Sequence, residues 1–143
     1  MTRKPTTIDR SSAPPVVISA ADEERLYGLA SAAASRTPAV SSLLLREIER
    51  ATVVAPEDVP PGVVSMHSHV AYRDEATGET RRVQLVYPPD ADIDAGRVSV
   101  LTLIGAGLLG LAAGQSILCP MQDGRERLIT VLEVSREPLD GRG

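Results

Sequence analysis

Apolar residues recur at helical spacing in the N-terminal third of the chain, beginning at Ser19. Ser19 and Asp22 fit a capping box, in which the hydroxyl and the carboxylate satisfy free amides of the first helical turn. Apolar positions then follow about one turn apart, at Leu26, Leu29 or Ala30, and Ala33. This spacing predicts an amphipathic helix.

A second helix is predicted to begin at Thr37-Pro38, because Thr is a frequent N-cap and Pro is favoured at the first helical position. One face of this helix carries Val40, Leu44, Ile48 and Ala51, with Arg46, Glu47, Glu49 and Arg50 around it. Each helix of about 14–16 residues would be only about 21–24 Å long. We therefore expect a short antiparallel helical hairpin, a coiled coil, over residues 19–54.

The pattern changes after the Pro-rich segment "APEDVPPG", which we interpret as a linker over residues 55–62. Segments of partly alternating or apolar character follow, separated by turn residues: "VVSMHSHVAYRD", "ETRRVQLVYP", "RVSVLTLI", "QSILCP" and "RERLITVLEVSRE". They predict an antiparallel sheet of about five strands with one short helix, Gly105 to Leu111. The expected fold class is α+β, with a sheet domain over residues 63–138 and a tail over residues 139–143.

The stretch "VSVLTLIGAGLLGLAAGQS" contains two glycine motifs and no charged residue. The residues around it do not fit either a dinucleotide-binding loop or a membrane helix. A dinucleotide-binding loop needs a full helix and an acidic residue about 20 residues on, whereas Gly114 ends this helix and Asp123 comes too early. A membrane helix needs about 20 apolar residues, and polar side chains and four glycines interrupt this run. The spacing favours a short helix packed closely on a sheet.

Composition narrows the function classes further. The net charge is −4, and the basic residues form no stripe that would neutralise phosphates, so sequence-specific nucleic-acid binding is not expected. Residues 1–15 are polar and lack the apolar segment of a secretory signal, and we expect a disordered leader over residues 1–18. The single cysteine, Cys119, cannot form an internal disulfide, which fits a reduced, cytoplasmic setting.

The run "VYPPDADIDAGRVSVLTLIGAGLLGLAAGQSI" resembles the C-terminal domain of the bacterial transcript-cleavage factors of the GreA/GreB family. Those proteins carry an acidic loop, a strand ending in Ser-Pro, and a Leu-Gly-x-Ala-Leu-Leu-Gly helix. The segments "AADEERL", "LLLREIERATVVAPED" and "PEDVPPGVVSMHSHVAYRDEATGE" look like the shortened hairpin, linker and first strands of a Gre-like group, the regulators of nucleoside diphosphate kinase (Rnk). The resemblance covers roughly residues 19–138.

This resemblance implies an FKBP-like sheet domain and a hairpin directed toward the secondary channel of RNA polymerase. In Gre factors, paired acids at the hairpin tip help to hold a catalytic Mg²⁺, which takes oxygen ligands. Here Arg36 is the only charged residue between Arg25 and Arg46. We therefore expect a polymerase-binding regulator that does not stimulate cleavage and could compete with factors that do.

The resemblance also implies candidate partner-binding residues. The family generally has Ser-Pro or Ala-Pro where this chain has Thr102-Leu103, in a region that bears on polymerase docking. Leu101, Thr102 and Leu103 are therefore predicted to form a partner surface, and Arg36 and Thr37 at the hairpin tip are further candidate partner-binding residues. The missing proline bears on the strength of docking. The alternative is that residues 101–103 only end a strand.

Two further features of the sequence bear on enzymatic and metal chemistry. FKBP-like folds include prolyl isomerases, but their proline pocket is lined by aromatics, and this chain has only Tyr27, Tyr72 and Tyr87. His67 and His69 are predicted on one strand face, where two imidazoles could begin a Zn²⁺ site that needs four ligands. We expect no enzymatic activity, cofactor or metal. The alternative function is an interaction module that acts on another protein, such as a nucleoside diphosphate kinase, independently of RNA polymerase.

Overall fold

The computed structural model describes residues 15–121 and 123–139. Most of the predicted leader (residues 1–14) and the last four residues of the predicted tail lie outside this part of the chain. The elements in chain order are the strand β1 (Val17–Ser19), the helices α1 (Ala20–Ala32) and α2 (Pro38–Arg50), and the strands β2 (Thr52–Val54), β3 (His69–Asp74), β4 (Glu79–Val86) and β5 (Arg97–Ser99), followed by the helix α3 (Leu103–Leu108) and the strands β6 (Ser116–Pro120) and β7 (Glu126–Ser135).

The helical hairpin begins and turns where the sequence predicts. The Ser19 hydroxyl accepts a hydrogen bond from the Ala21 amide at 3.1 Å, and Pro38 is the first residue of α2. The Ser41 hydroxyl donates to the Ala30 carbonyl at 2.7 Å and thereby joins the two helices. The Thr37 side chain makes no capping hydrogen bond to α2.

The end of the predicted leader is folded, which corrects the expectation that residues up to 18 are disordered. β1 pairs in parallel with β2, in the register Val17 with Thr52 and Ser19 with Val54. Val16 and Ile18 are 1% and 2% exposed, so both side chains belong to the core. The apolar side chains of this segment stabilise it, although the polar residues that precede it dominate the local composition.

The main sheet has the strand order β5-β4-β3-β7-β6. Three of its four strand pairs are antiparallel, as predicted, but β4 and β5 pair in parallel. The loop between them contains two short 3-10 turns, Pro88–Asp90 and Ile93–Ala95, which carry the chain back to the start of the neighbouring strand. The sheet is therefore mixed at this edge.

The segment predicted as a long third strand divides into two elements. Only Arg97–Ser99 form a strand, and α3 begins at Leu103, two residues before the predicted start. The reason is local: the Thr102 hydroxyl accepts a hydrogen bond from the Gly105 amide at 3.0 Å and caps the helix. The backbone amide of Leu109 then bonds the Gly105 carbonyl at the end of the helix.

One hydrophobic cluster joins the hairpin to the sheet domain. α2 packs against α3, and the cluster includes residues of the hairpin, of the sheet and of α3: Leu26, Leu43, Leu44, Val70, Leu85, Ala106, Leu108 and Ile129. In the Pro-rich segment, Val59 is buried as well, outside this cluster. Within the described part of the chain, no helix is long and apolar enough to cross a membrane.

Candidate partner-binding surface at the hairpin tip

A groove lies between the hairpin tip and the segment that leads into α3. Its volume is about 280 Å³. The lining residues come from the end of α1, the turn, and the start of the α3 segment: Leu29, Ala32, Ala33, Arg36, Thr37 and Leu101. The groove therefore has a largely apolar wall with one cation at the tip.

The turn between α1 and α2 holds Arg36 and Thr37 in place through the backbone. The amides of Arg36 and Thr37 both donate to the Ala33 carbonyl, at 3.1 and 2.8 Å. The Arg36 side chain is exposed, and it forms no ion pair with any residue that the structure describes. Its guanidinium is therefore available to a carboxylate of a partner.

Leu101 is presented by a tight turn after β5. Its amide donates to the Ser99 hydroxyl at 2.9 Å, and the side chain is half-buried. Thr102 has a different position. Its hydroxyl accepts from Gly105 and donates to the Ser99 carbonyl at 2.8 Å, so both hydrogen-bonding capacities serve the start of α3.

Leu103 is 9% exposed, and its carbonyl accepts a hydrogen bond from the Cys119 thiol at 3.2 Å. It is the first residue of α3, the position at which helices favour proline. A proline there in other family members would suit the helix start, and this chain has a leucine that packs against the core instead. The structure thus brings Leu101, Arg36 and Thr37 to one groove and places Thr102 and Leu103 in the helix start beside it.

A second group of polar residues, which the sequence did not reveal, joins the base of the hairpin to the sheet domain. The Tyr87 hydroxyl donates to the Asp22 carboxylate at 3.0 Å. The Arg25 guanidinium lies 3.6 Å from the centre of the Tyr87 ring, and the His67 ring meets Tyr87 edge-on at 5.9 Å. Asp22 therefore bonds a tyrosine of the sheet domain, where the sequence predicted a capping role.

The environment of Tyr87 raises its pKa above the usual range of a phenol. Burial is the main cause, and the hydrogen bond to the Asp22 carboxylate and the negative charge of that group add to it. No local motif signals this contact, because Asp22 and Tyr87 are 65 positions apart in the sequence.

Glu47 is buried, although the sequence pattern predicted it outside the apolar face. Its side chain is 2% exposed and pairs with the Arg50 guanidinium at 2.7 Å. Burial raises the pKa of the Glu47 carboxyl, and the hydrogen bond and charge of Arg50 offset part of this effect. The charge of Glu47 also acts on Cys119: burial first, and then this carboxylate, raise the pKa of the Cys119 thiol to about 12.

The histidine pair does not have the predicted arrangement. His69 is the first residue of β3, but His67 precedes the strand and has a φ of 75°, so the two residues do not share a strand face. Among residues 15–121 and 123–139, no three His, Cys, Asp or Glu side chains are grouped as a metal site would need.

Comparison with known families decides the identity of the chain. The model of the transcription elongation factor GreA/GreB C-terminal domain matches residues 59–136, and that of the Rnk N-terminus matches residues 14–54. The chain belongs to the GreA/GreB family. The Rnk match at the N-terminus places it with the Rnk proteins of that family, as the sequence resemblance predicted.

Individual relatives agree with this assignment. The chain is 35% identical over 127 residues to the regulator of nucleoside diphosphate kinase of Escherichia coli K12, covering 89% of this chain and 93% of that one. It is 31% identical over 129 residues to the transcription elongation factor GreA of Syntrophobacter fumaroxidans, covering 84% and 82%. A GreA/GreB structure from Nitrosomonas europaea superposes with a TM-score of 0.66 at 38% identity, covering 85% of this chain and 98% of that one. The predicted α+β fold class is confirmed.

Proposed function

We propose that this protein is a non-enzymatic regulator that binds RNA polymerase near its secondary channel without stimulating transcript cleavage. The observation that carries the proposal is the chemistry of the hairpin tip. Arg36 is the only charged residue between Arg25 and Arg46, so the tip offers a cation where Gre factors, to which the chain is similar, have paired carboxylates. A guanidinium repels Mg²⁺ and has no lone pair for it.

The position of the acidic residues supports the same conclusion. Asp22 bonds Tyr87, and Glu47 is buried against Arg50; both groups lie at the base of the hairpin and are engaged within the protein. The helices have 13 residues each, which corresponds to about 20 Å. Neither carboxylate can reach beyond the tip to a metal in a partner's active site.

The groove at the hairpin tip is the proposed docking surface. Leu101 supplies apolar area and Arg36 a charge, so the groove suits a polymerase segment that pairs an apolar side chain with a carboxylate. A protein bound in this way would compete with Gre factors for the polymerase. Thr102 and Leu103 would act by placing Leu101, because both residues fix the start of α3.

Binding to purified core RNA polymerase tests this surface. We expect Arg36→Glu and Leu101→Asp to weaken the affinity by about tenfold or more each, since one change reverses the charge and the other places a charge against an apolar contact. Arg46→Glu is the matched control: it makes the same change of charge at an exposed position of α2 outside the groove. Equal losses for Arg36→Glu and Arg46→Glu would show that net charge, and not the groove, sets the affinity.

A second function is suggested by a relative of this chain, the regulator of nucleoside diphosphate kinase of Escherichia coli K12. In that case the chain acts on a kinase, independently of RNA polymerase. The binding experiment is therefore run in parallel with a purified nucleoside diphosphate kinase. Binding to the kinase at a concentration at which polymerase is not bound would favour the interaction module over the polymerase regulator.

A further inference from the structure

A second cavity lies at the β4–β5 edge of the sheet. Unlike the groove at the hairpin tip, it is lined mainly by polar side chains. Its volume is about 340 Å³, within the range of small-molecule sites. The strand residues that line it include His69, Arg82, Gln84 and Arg97, and the remaining wall comes from the loop before β5 and the C-terminal segment, including Ala95, Gly96, Pro138 and Leu139.

The strand register explains why these polar side chains meet. Gln84 pairs with His69 on one side and with Arg97 on the other, and directly paired residues point to the same face of a sheet. Arg82 lies two positions from Gln84, so it shares this face. Leu85 points to the other face and is fully buried. Three adjacent strands therefore present two guanidinium groups, an imidazole and a carboxamide to one cavity.

The two arginines differ in how they are held. The Arg97 Nε donates to the Asp90 carbonyl at 2.9 Å, and one of its terminal nitrogens lies 3.5 Å from Asp92. These contacts fix the guanidinium at the wall of the cavity. The Arg82 side chain makes no hydrogen bond or ion pair with another described residue, and Ala71 separates it on this face from Glu133. Arg82 is exposed, so its guanidinium is open to an anion that enters the cavity.

We propose that this cavity binds a small phosphorylated organic molecule. Arg82 and Arg97 lie diagonally across neighbouring strands, about 8 Å apart at the backbone, and both guanidinium forks can converge on one phosphate group. A phosphate has enough acceptor oxygens for two forks, whereas a single carboxylate is satisfied by one. The apolar wall of Ala95, Pro138 and Leu139 leaves room for the organic part of the ligand.

Titration of the ¹⁵N-labelled full chain with phenyl phosphate, followed by NMR, tests the proposal. The expected result is saturable binding, with shifts of the amides at residues 82–84 and 95–97. Arg82→Gln should weaken it by about tenfold or more, the loss of one charge-assisted interaction. Arg81→Gln is the matched control, because Arg81 lies on the other face of β4 and its exposed pair with Glu79 contributes little to stability.

Three results would overturn the phosphate site. The first is an absence of saturation at millimolar phenyl phosphate. The second is an equal loss of affinity in Arg81→Gln and Arg82→Gln, which would mean that net charge alone attracts the anion. The third is equal affinity for phthalate, an aromatic dianion with carboxylates only, because the assignment rests on the geometry of a phosphate and not on charge. This test is independent of any binding to RNA polymerase.

Discussion

The hydroxyl of Tyr87 donates a hydrogen bond to the carboxylate of Asp22, at 3.0 Å, and thereby joins the first turn of α1 to the residue that follows β4. Arg25, one turn further along α1, covers the face of the same ring. These contacts, together with the packing of α2 on α3, hold the hairpin against the sheet domain. The position of the hairpin is therefore set by the polar contacts at its base together with the apolar packing of α2 on α3.

Removing the Tyr87 hydroxyl should weaken the connection between α1 and the sheet domain without creating a cavity in the core. We expect Tyr87→Phe to lower the free energy of unfolding by about 0.5–1.5 kcal/mol, the usual contribution of one hydrogen bond, because the ring and its contact with Arg25 remain. Urea denaturation measures the change. Tyr27→Phe is the control, since Tyr27 is 54% exposed on the same hairpin; an equal loss in that variant would contradict the role of the Asp22 contact.

The buried Glu47 should make stability depend on pH between neutrality and mild acidity. Its folded pKa is raised above its unfolded value, so the folded state takes up a proton first as the pH falls. The contribution of Glu47 to the free energy of unfolding is therefore greatest below its unfolded pKa and is lost as the pH rises through its folded pKa. Glu47→Gln has no such proton to bind.

Urea denaturation at pH 7 and at pH 5 checks this sign. We expect the wild-type protein to gain stability relative to Glu47→Gln when the pH is lowered. The comparison with Glu47→Gln cancels the opposite effect of Asp74 and Glu75, whose pKa values are held low mainly by hydrogen bonds from Arg127 and Arg73. A wild-type protein that loses stability relative to the variant over this interval would contradict the raised pKa.

The Cys119 thiol should be inert in the folded protein. With a pKa of about 12, only about one molecule in ten thousand carries a thiolate at pH 8, and the side chain is 1% exposed. We expect the reaction with a disulfide reagent to occur only in denaturant, or at a rate limited by unfolding. Because the folded pKa lies above the ordinary value, the same group should lower stability as the pH rises from about 9 toward 12. Rapid labelling of the native protein at pH 8 would show that the thiol is accessible.

Gly110 is a position where only glycine fits. Its φ is +83°, and a Cβ there would clash with the side chain of Val16 in the segment before β1. We expect Gly110→Ala to destabilise the protein by about 1–3 kcal/mol. Gly28→Ala in α1 has open space around it, and should stabilise the helix by about 0.5–1 kcal/mol. Thermal unfolding of both variants would distinguish them, and a neutral Gly110→Ala would contradict the close approach.

The sequence patterns predicted those elements whose start is fixed by neighbouring residues. Ser19 caps α1 and Pro38 starts α2 because a cap and a first-turn proline act on neighbouring residues. The short glycine-rich helix was predicted for the same reason, although Thr102 rather than the first glycine fixes its start. The periodicity predicted the α+β class, with helices followed by strands, and the resemblance to the GreA/GreB family added the expectation of an FKBP-like sheet domain.

The features that the sequence did not reveal depend on pairing between distant segments. The strand β1 forms by pairing with β2, where Val17 lies opposite Thr52. The strand β5 pairs in parallel with β4 because the loop before it carries the chain back to the start of the neighbouring strand. The burial of Glu47 likewise depends on the packing of distant parts of the chain, including α3, against α2. At the candidate surface, the sequence suggested Leu101, Arg36 and Thr37 separately, and only the packing of the hairpin on the sheet domain shows that they share a groove.

The most direct test of the central claim uses stalled, backtracked complexes of bacterial RNA polymerase. The account predicts that the protein alone leaves the RNA 3′ end uncut, because Arg36 stands at the tip and no carboxylate does. It also predicts that increasing amounts of the protein reduce the cleavage stimulated by a Gre factor. Shortening of the RNA by the protein alone, or unchanged Gre-stimulated cleavage at saturating concentration, would contradict it.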